Sequence, residues 1–86
     1  MRIIAKSTIR DFWIQHPPSE FPLLDWYNTV KQVEWNTPND VKQTYGNASI
    51  VANDRVVFNI KGNDYRLVTE IDYTFQIVFI SELYTY

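Results

Sequence analysis

Arg55, Lys61 and Arg66 fall on and around one short stretch, RVVFNIKGNDYRLV, residues 55–68. Polarity alternates up to Ile60, KGND interrupts it, and the alternation then resumes, which is the signature of a β-hairpin. A guanidinium stays charged at any accessible pH and offers a planar fork for phosphate or carboxylate, whereas an ammonium is a point charge. Three cations on one hairpin are notable in a chain whose formal net charge is −2. At the edge of a sheet such charges are ordinary guards against aggregation. Projecting from an open face, they form a surface that faces anions.

The elements that must position these cations can be traced along the chain. Arg2–Ala5 is isoleucine-rich and predicts a strand. Ser7 or Thr8 offers a capping hydroxyl, and Ile9, Phe12 and Trp13 share one face of a helix over Thr8–Gln15. The sequence His16-Pro17-Pro18 stops that helix, because the residue before a proline avoids the helical region. A second helix opens at Ser19 and Glu20, tolerates Pro22 in its first turn, and runs to about Trp35 with Leu23, Trp26, Tyr27, Val30 and Val33 as its stripe. Thr37 caps a short third helix, Pro38–Thr44, which ends at Tyr45-Gly46-Asn47 with Gly46 or Asn47 in a left-handed cap.

From Ala48 the period becomes two. Strands are expected at Ser49–Val51, Arg55–Ile60, Tyr65–Ile71 and Tyr73–Ile80, with turns at Asn53-Asp54 and Gly62-Asn63-Asp64. The order places this chain in the α+β class, with an N-terminal strand and helices on one face of a small, mostly antiparallel sheet. The other face, carrying Arg55 and Arg66, is left open. With 86 residues there is room for one domain, residues 1–86. A chain this short needs a dense core, and its 14 aromatic residues provide large buried area per side chain.

Several function classes fall away. There is no cysteine, so disulfide frameworks, thiolate chemistry and cysteine-type zinc sites are excluded, and a reducing cytosol is the expected compartment. One histidine among scattered acids has no metal-ligand spacing. The longest apolar run near the N-terminus, Ile3–Ala5, is too short for a secretory signal or a membrane span. A net charge of −2 argues against binding nucleic acid through bulk charge alone.

Larger blocks of the sequence carry a resemblance. MRIIAKSTIRDFW, WYNTVKQVEW, TPNDVK, ASIVANDRVVFNIKGNDYRLV and FQIVFI together resemble the HigB-type toxins of the RelE/ParE superfamily of bacterial type II toxin–antitoxin systems, over residues 1 to about 80. The resemblance implies a RelE-like fold and cleavage of mRNA on the translating ribosome, silenced by a cognate helix-turn-helix antitoxin, with DNA met only through that antitoxin. It implies no metal or other cofactor. The ribose 2′-hydroxyl attacks the adjacent phosphate, which calls for a base, cations for the developing charge, and an acid for the leaving oxygen. Arg66 matches the family's strand arginine, set to stabilise the scissile phosphate. Lys61 matches a basic position in the turn before it, and Arg55 the arginine that opens the preceding strand and positions the backbone. Lys6 and Arg10 are expected as peripheral RNA contacts.

Two features qualify this picture. Family members continue into a segment resembling G-T-H-x-x-Y-D, which supplies a histidine and a tyrosine. Here the last strand runs FISELYTY, so a catalytically weak toxin that still binds an antitoxin is one alternative, and a ParE-like toxin of DNA gyrase is another. Each residue also has a plainer role. Arg66 can pair with Glu70, Lys61 can be a solvated charge, Arg55 an edge guard and His16 a helix-end residue. Tyr65 or Tyr73 can stack unpaired bases or simply fill the core.

Overall fold

The computed structural model describes residues 1–52 and 54–86. Asn53, half of the expected Asn53-Asp54 turn, lies outside the described residues. Three helices and a five-stranded mixed sheet form the expected α+β arrangement. The strands are β1 (Arg2–Ile4), β2 (Ser49–Ile50), β3 (Arg55–Ile60), β4 (Tyr65–Asp72) and β5 (Ile77–Thr85), in the order β1-β5-β4-β3-β2. Among the described residues only the β1–β5 pair is parallel.

Helix α1 spans Lys6–Gln15. Its expected hydroxyl cap is corrected: Ala5 is the N-cap residue, no side chain bonds there, and Ser7 and Thr8 lie inside the helix. The two prolines form a 3₁₀ turn, Pro17–Ser19, in which buried Ser19 donates its hydroxyl to the His16 carbonyl at 2.7 Å. Helix α2 runs Glu20–Gln32, three residues short of expectation. Val33 is already extended, and Trp35 is buried from a loop instead of a helix. Its indole N–H donates to Thr44 Oγ1 at 3.1 Å, so burial of the ring does not need helical backbone. Helix α3, Pro38–Thr44, starts on a reciprocal cap: Thr37 accepts from the Asp40 amide, and Asp40 accepts from the Thr37 amide. Its end is corrected too. Tyr45 closes it in extended backbone, and the positive φ angles fall on Lys61, Gly62 and Gln76, not on Gly46 or Asn47.

The core lies between the helices and one face of the sheet. Val56, Phe58 and Ile60 of β3 meet Tyr65, Leu67, Thr69 and Ile71 of β4 there, all buried. Thr69 satisfies its buried hydroxyl by donating to the Val56 carbonyl at 2.9 Å. Phe58 is the aromatic hub. It lies 5.3 Å from Trp26, 5.9 Å from Trp35 and 5.4 Å from Tyr45, ring centre to ring centre.

The last strand starts later than the alternation suggests. Residues 73–76 form a turn because Asp72 Oδ1 accepts from the amides of Thr74 and Phe75, each at 3.0 Å. Gln76 then takes φ 59° and ties the turn to the α2–α3 loop, donating to the carbonyls of Trp35 (2.6 Å) and Tyr73 (2.8 Å). The strand recovers the lost length at its other end, reaching Thr85 instead of stopping at Ile80. Among the described residues no helix is long and apolar enough to cross a membrane.

Burial raises the phenols of Tyr45 and Tyr73 above the ordinary tyrosine value, and nearby Asp54 and Asp40 add to the effect at Tyr73. A raised folded-state value leaves stability intact below the unfolded value of about 10 and erodes it as pH climbs through the folded values. Thermal melts are expected to hold steady up to about pH 9.5 and fall above it, and Tyr45→Phe with Tyr73→Phe should flatten that fall.

Candidate nucleic-acid interface

Adjacent residues on a strand point to opposite faces, so burying Tyr65 and Leu67 turns Arg66 to the open side. In the ladder Arg66 sits between Asn59 of β3 and Tyr84 of β5. Asn59 is held by donating to the Asn47 carbonyl at 3.3 Å. The ring of Tyr86 covers the guanidinium, 4.2 Å from Cζ to ring centre, and the Tyr86 amide donates to the Asp64 carbonyl at 3.0 Å. No carboxylate among the described residues pairs with Arg66. One of its terminal nitrogens is shut off from solvent with no acceptor. A charged donor left without an acceptor is costly.

Lys61 stands at the tip of the β3–β4 hairpin with φ 53°, and its ammonium pairs with Asp64 at 3.1 Å. Asp64 also accepts the Tyr86 amide through its carbonyl, so Lys61 belongs to the same end of the sheet as Arg66. Arg55 does not. It lies opposite Glu70, pairs with it at 3.2 Å, and so stands four residues along β4 from Arg66, roughly 13 Å at strand spacing. That end holds a cleft of about 360 Å³ lined by Asp54, Glu70 and Asp72 among others, although no cluster among the described residues is placed to hold a metal ion. An anion near Arg55 would meet three carboxylates. The expected trio of cations is therefore split.

The remaining expected contacts lie elsewhere. Lys6 sits over the Tyr27 ring at 4.9 Å, with Lys31 at 5.9 Å, on the helical layer. Arg10 is exposed on α1. Tyr65 faces the core at 8% exposure, 5.5 Å from Phe12 and 5.9 Å from His16. As a platform for bases it is corrected, since its ring lies on the side of the sheet away from Arg66. His16 stacks on Phe12 at 4.4 Å on that same far side.

Asn59, Tyr84 and Tyr86 were not among the expected site residues. The signal was present, because carrying the last strand on to Thr85 aligns Tyr84 with Arg66 across the ladder. Together these groups offer a cation without a carboxylate partner among the described residues, two phenols and an amide on an exposed corner of the sheet. Such a set has the groups to grip a phosphodiester and stack a base, with Tyr84 beside Arg66 in the ladder and Tyr86 over its guanidinium.

Comparison with protein families matches residues 19–86 to the family described as HigB_toxin, RelE-like toxic component of a toxin-antitoxin system. No curated protein matches the chain.

Proposed function

Because the chain belongs to the HigB toxins, the RelE-like toxic components of toxin–antitoxin systems, we propose that it cleaves mRNA on the translating ribosome in the cytoplasm and is neutralised by a cognate helix-turn-helix antitoxin. The observation that carries this reading is Arg66: a permanently charged fork on the open face, with no carboxylate partner among the described residues and one nitrogen still lacking an acceptor. In this reading Arg66 stabilises the phosphorane charge, Tyr84 and Tyr86 border the scissile nucleotide, and Lys61 holds the backbone after exchanging Asp64 for phosphate. An exposed pair such as Lys61–Asp64 is worth little, so that exchange is not expensive. Lys6 and Arg10, on the helical layer, are peripheral RNA contacts, and Arg55 orders the hairpin through Glu70. Expression without antitoxin is expected to stop growth, and primer extension on translated mRNA should show new 5′ ends within codons. Intact growth and uncut messages would remove the reading.

A second reading has an observation of its own. No histidine stands near Arg66, since His16 is stacked on Phe12 across the sheet, which leaves proton transfer to phenols. A missing acid or base costs about 10²–10⁴ in rate. A chain that captures its antitoxin but leaves ribosome-bound mRNA whole would be such a weakened toxin. A supercoiling assay with no effect on gyrase would separate both readings from a ParE-like action.

Lys61 allows a clean test of its own role. Its φ of 53° suits glycine better than a residue with a Cβ. Lys61→Gly is therefore expected to leave stability level or raise it by up to about 1 kcal/mol. A drop in cleavage with an unchanged denaturation midpoint assigns that loss to the ammonium.

A further inference from the structure

Lys42 stands in the last turn of α3 and makes no ion pair among the described residues. Its ammonium reaches past the helix end and donates to two carbonyls of the following loop, Gly46 at 2.7 Å and Ala48 at 2.8 Å. Two of its three N–H donors are thus committed. A cation at a helix C-terminus gains a little from the helix dipole alone, but that gain needs no grip on residues four and six positions further on. The Ala48 amide also donates back to the Tyr45 carbonyl at 3.0 Å, and Ala48 is 2% exposed. The loop from Tyr45 to Ala48 is therefore fixed by the ammonium, by its own backbone and by the core.

The carbonyl between those two serves the sheet. Asn47 accepts there from Asn59 Nδ2 at 3.3 Å, and Asn59 is the β3 residue directly opposite Arg66. Side chains so paired stand about 4.5–5.5 Å apart at Cβ. A side-chain amide carries donors on one branch and an acceptor on the other. With Nδ2 committed to a carbonyl, turning the group over would set oxygen against oxygen, so the amide holds one orientation. Which of its atoms border the approach to Arg66 is thereby decided at the loop. At 3.3 Å the bond is at the long end of the useful range, so it depends on where the loop is held.

We propose that Lys42 is a positioning residue of the Arg66 site: it acts through the Gly46–Ala48 loop to fix the amide of Asn59, and Asn59 borders the bound phosphodiester beside the guanidinium. The second half rests on the RNA-cleaving reading, whereas the link from Lys42 to Asn59 stands on the hydrogen bonds alone. Lys42 itself acts only through that link. Losing its ammonium frees two carbonyls at once, loosens the peptide between them and lets the Asn59 amide turn over.

The test compares the isotopically labelled full chain with Lys42→Met, which keeps an unbranched stem, and with Lys42→Arg, whose guanidinium can again donate to both carbonyls. In the wild type the two N–H signals of the Asn59 side chain are expected to be well separated and slow to exchange. Lys42→Met should bring them to the values of a free amide, and Lys42→Arg should restore them. On ribosome-bound message Lys42→Met should lower the cleavage rate about five- to tenfold, short of the roughly 10²-fold that follows a 1 Å misplacement of reacting groups, and Lys42→Arg should recover most of it. Asn59→Ala should cost a similar factor, and adding Lys42→Met to it should change the rate by less than about twofold, because residues acting in series do not add. Unaltered Asn59 signals in Lys42→Met, fully additive losses in the double variant, or a loss that Lys42→Arg fails to restore would each overturn the proposal. So would a lowered denaturation midpoint with the Asn59 signals in place, which would make Lys42 a helix cap and nothing more. Absence of cleavage by the wild type would instead remove the RNA reading, and the Asn59 signals would still decide the role of Lys42.

Discussion

Arg66→Ala is expected to abolish growth arrest and to lower mRNA cleavage by about 10²–10³-fold, the usual cost of losing one donor to a developing oxyanion. The structure suggests that this loss would come without unfolding. Arg66 is only half-buried, makes no ion pair among the described residues, and its one recorded partner is the exposed ring of Tyr86. A cation–π contact at such a site is worth about 0.5–1 kcal/mol, so the melting midpoint should move by no more than about 2–8 °C. Arg66→Lys is the sharper variant. It keeps the charge but loses the bidentate fork, and it should recover only a small part of the activity. Both variants should still bind antitoxin with unchanged affinity. Wild-type cleavage by Arg66→Ala, measured on ribosome-bound message, would mean that the site lies elsewhere.

Phe58→Ala is expected to cost about 3–5 kcal/mol, a large fraction of the 5–15 kcal/mol that holds a small domain together. Phe58 is 1% exposed, and its ring touches those of Trp26, Trp35 and Tyr45. Removing it opens a cavity bounded by three large rings that cannot all move inward. The variant should unfold at much lower denaturant, and near 37 °C much of it should be unfolded. Phe58→Leu refills most of the volume and should recover more than half of the loss. A midpoint for Phe58→Ala close to wild type would show that the aromatic cluster can collapse around the gap.

Much of the fold was legible because local signals agreed with the final packing. Thr37-Pro38 and Asp40 fixed the start of α3, and strict alternation fixed β3 to the residue. Errors arose where long-range contacts overrode local pattern. Trp35 continues the apolar stripe of α2, yet its indole is satisfied by Thr44 from a loop, so the helix stops early. Tyr73-Thr74-Phe75-Gln76 alternates like a strand, but the Asp72 carboxylate gathers the two following amides into a turn. That shift of β5 toward its far end also decided how the site was read. Arg66 could be placed on the open face from period alone. Its neighbours Asn59 and Tyr84 depend on register across strands, which no single segment encodes. Arg55 looked equivalent to Arg66, and only the ladder shows that Glu70 claims it.

The parallel pairing of β1 with β5 also bears on when the protein can act. β5 lies between β1 and β4 and is synthesised after every other element described, so the N-terminal strand has no neighbour in the sheet until β5 has been made. Pairing of segments so distant in sequence is slow to form, and a nascent chain lacking it also lacks the strand that sets Tyr84 beside Arg66. The corner around Arg66 is therefore assembled only once β5 has joined the sheet, whatever the order in which the helices form.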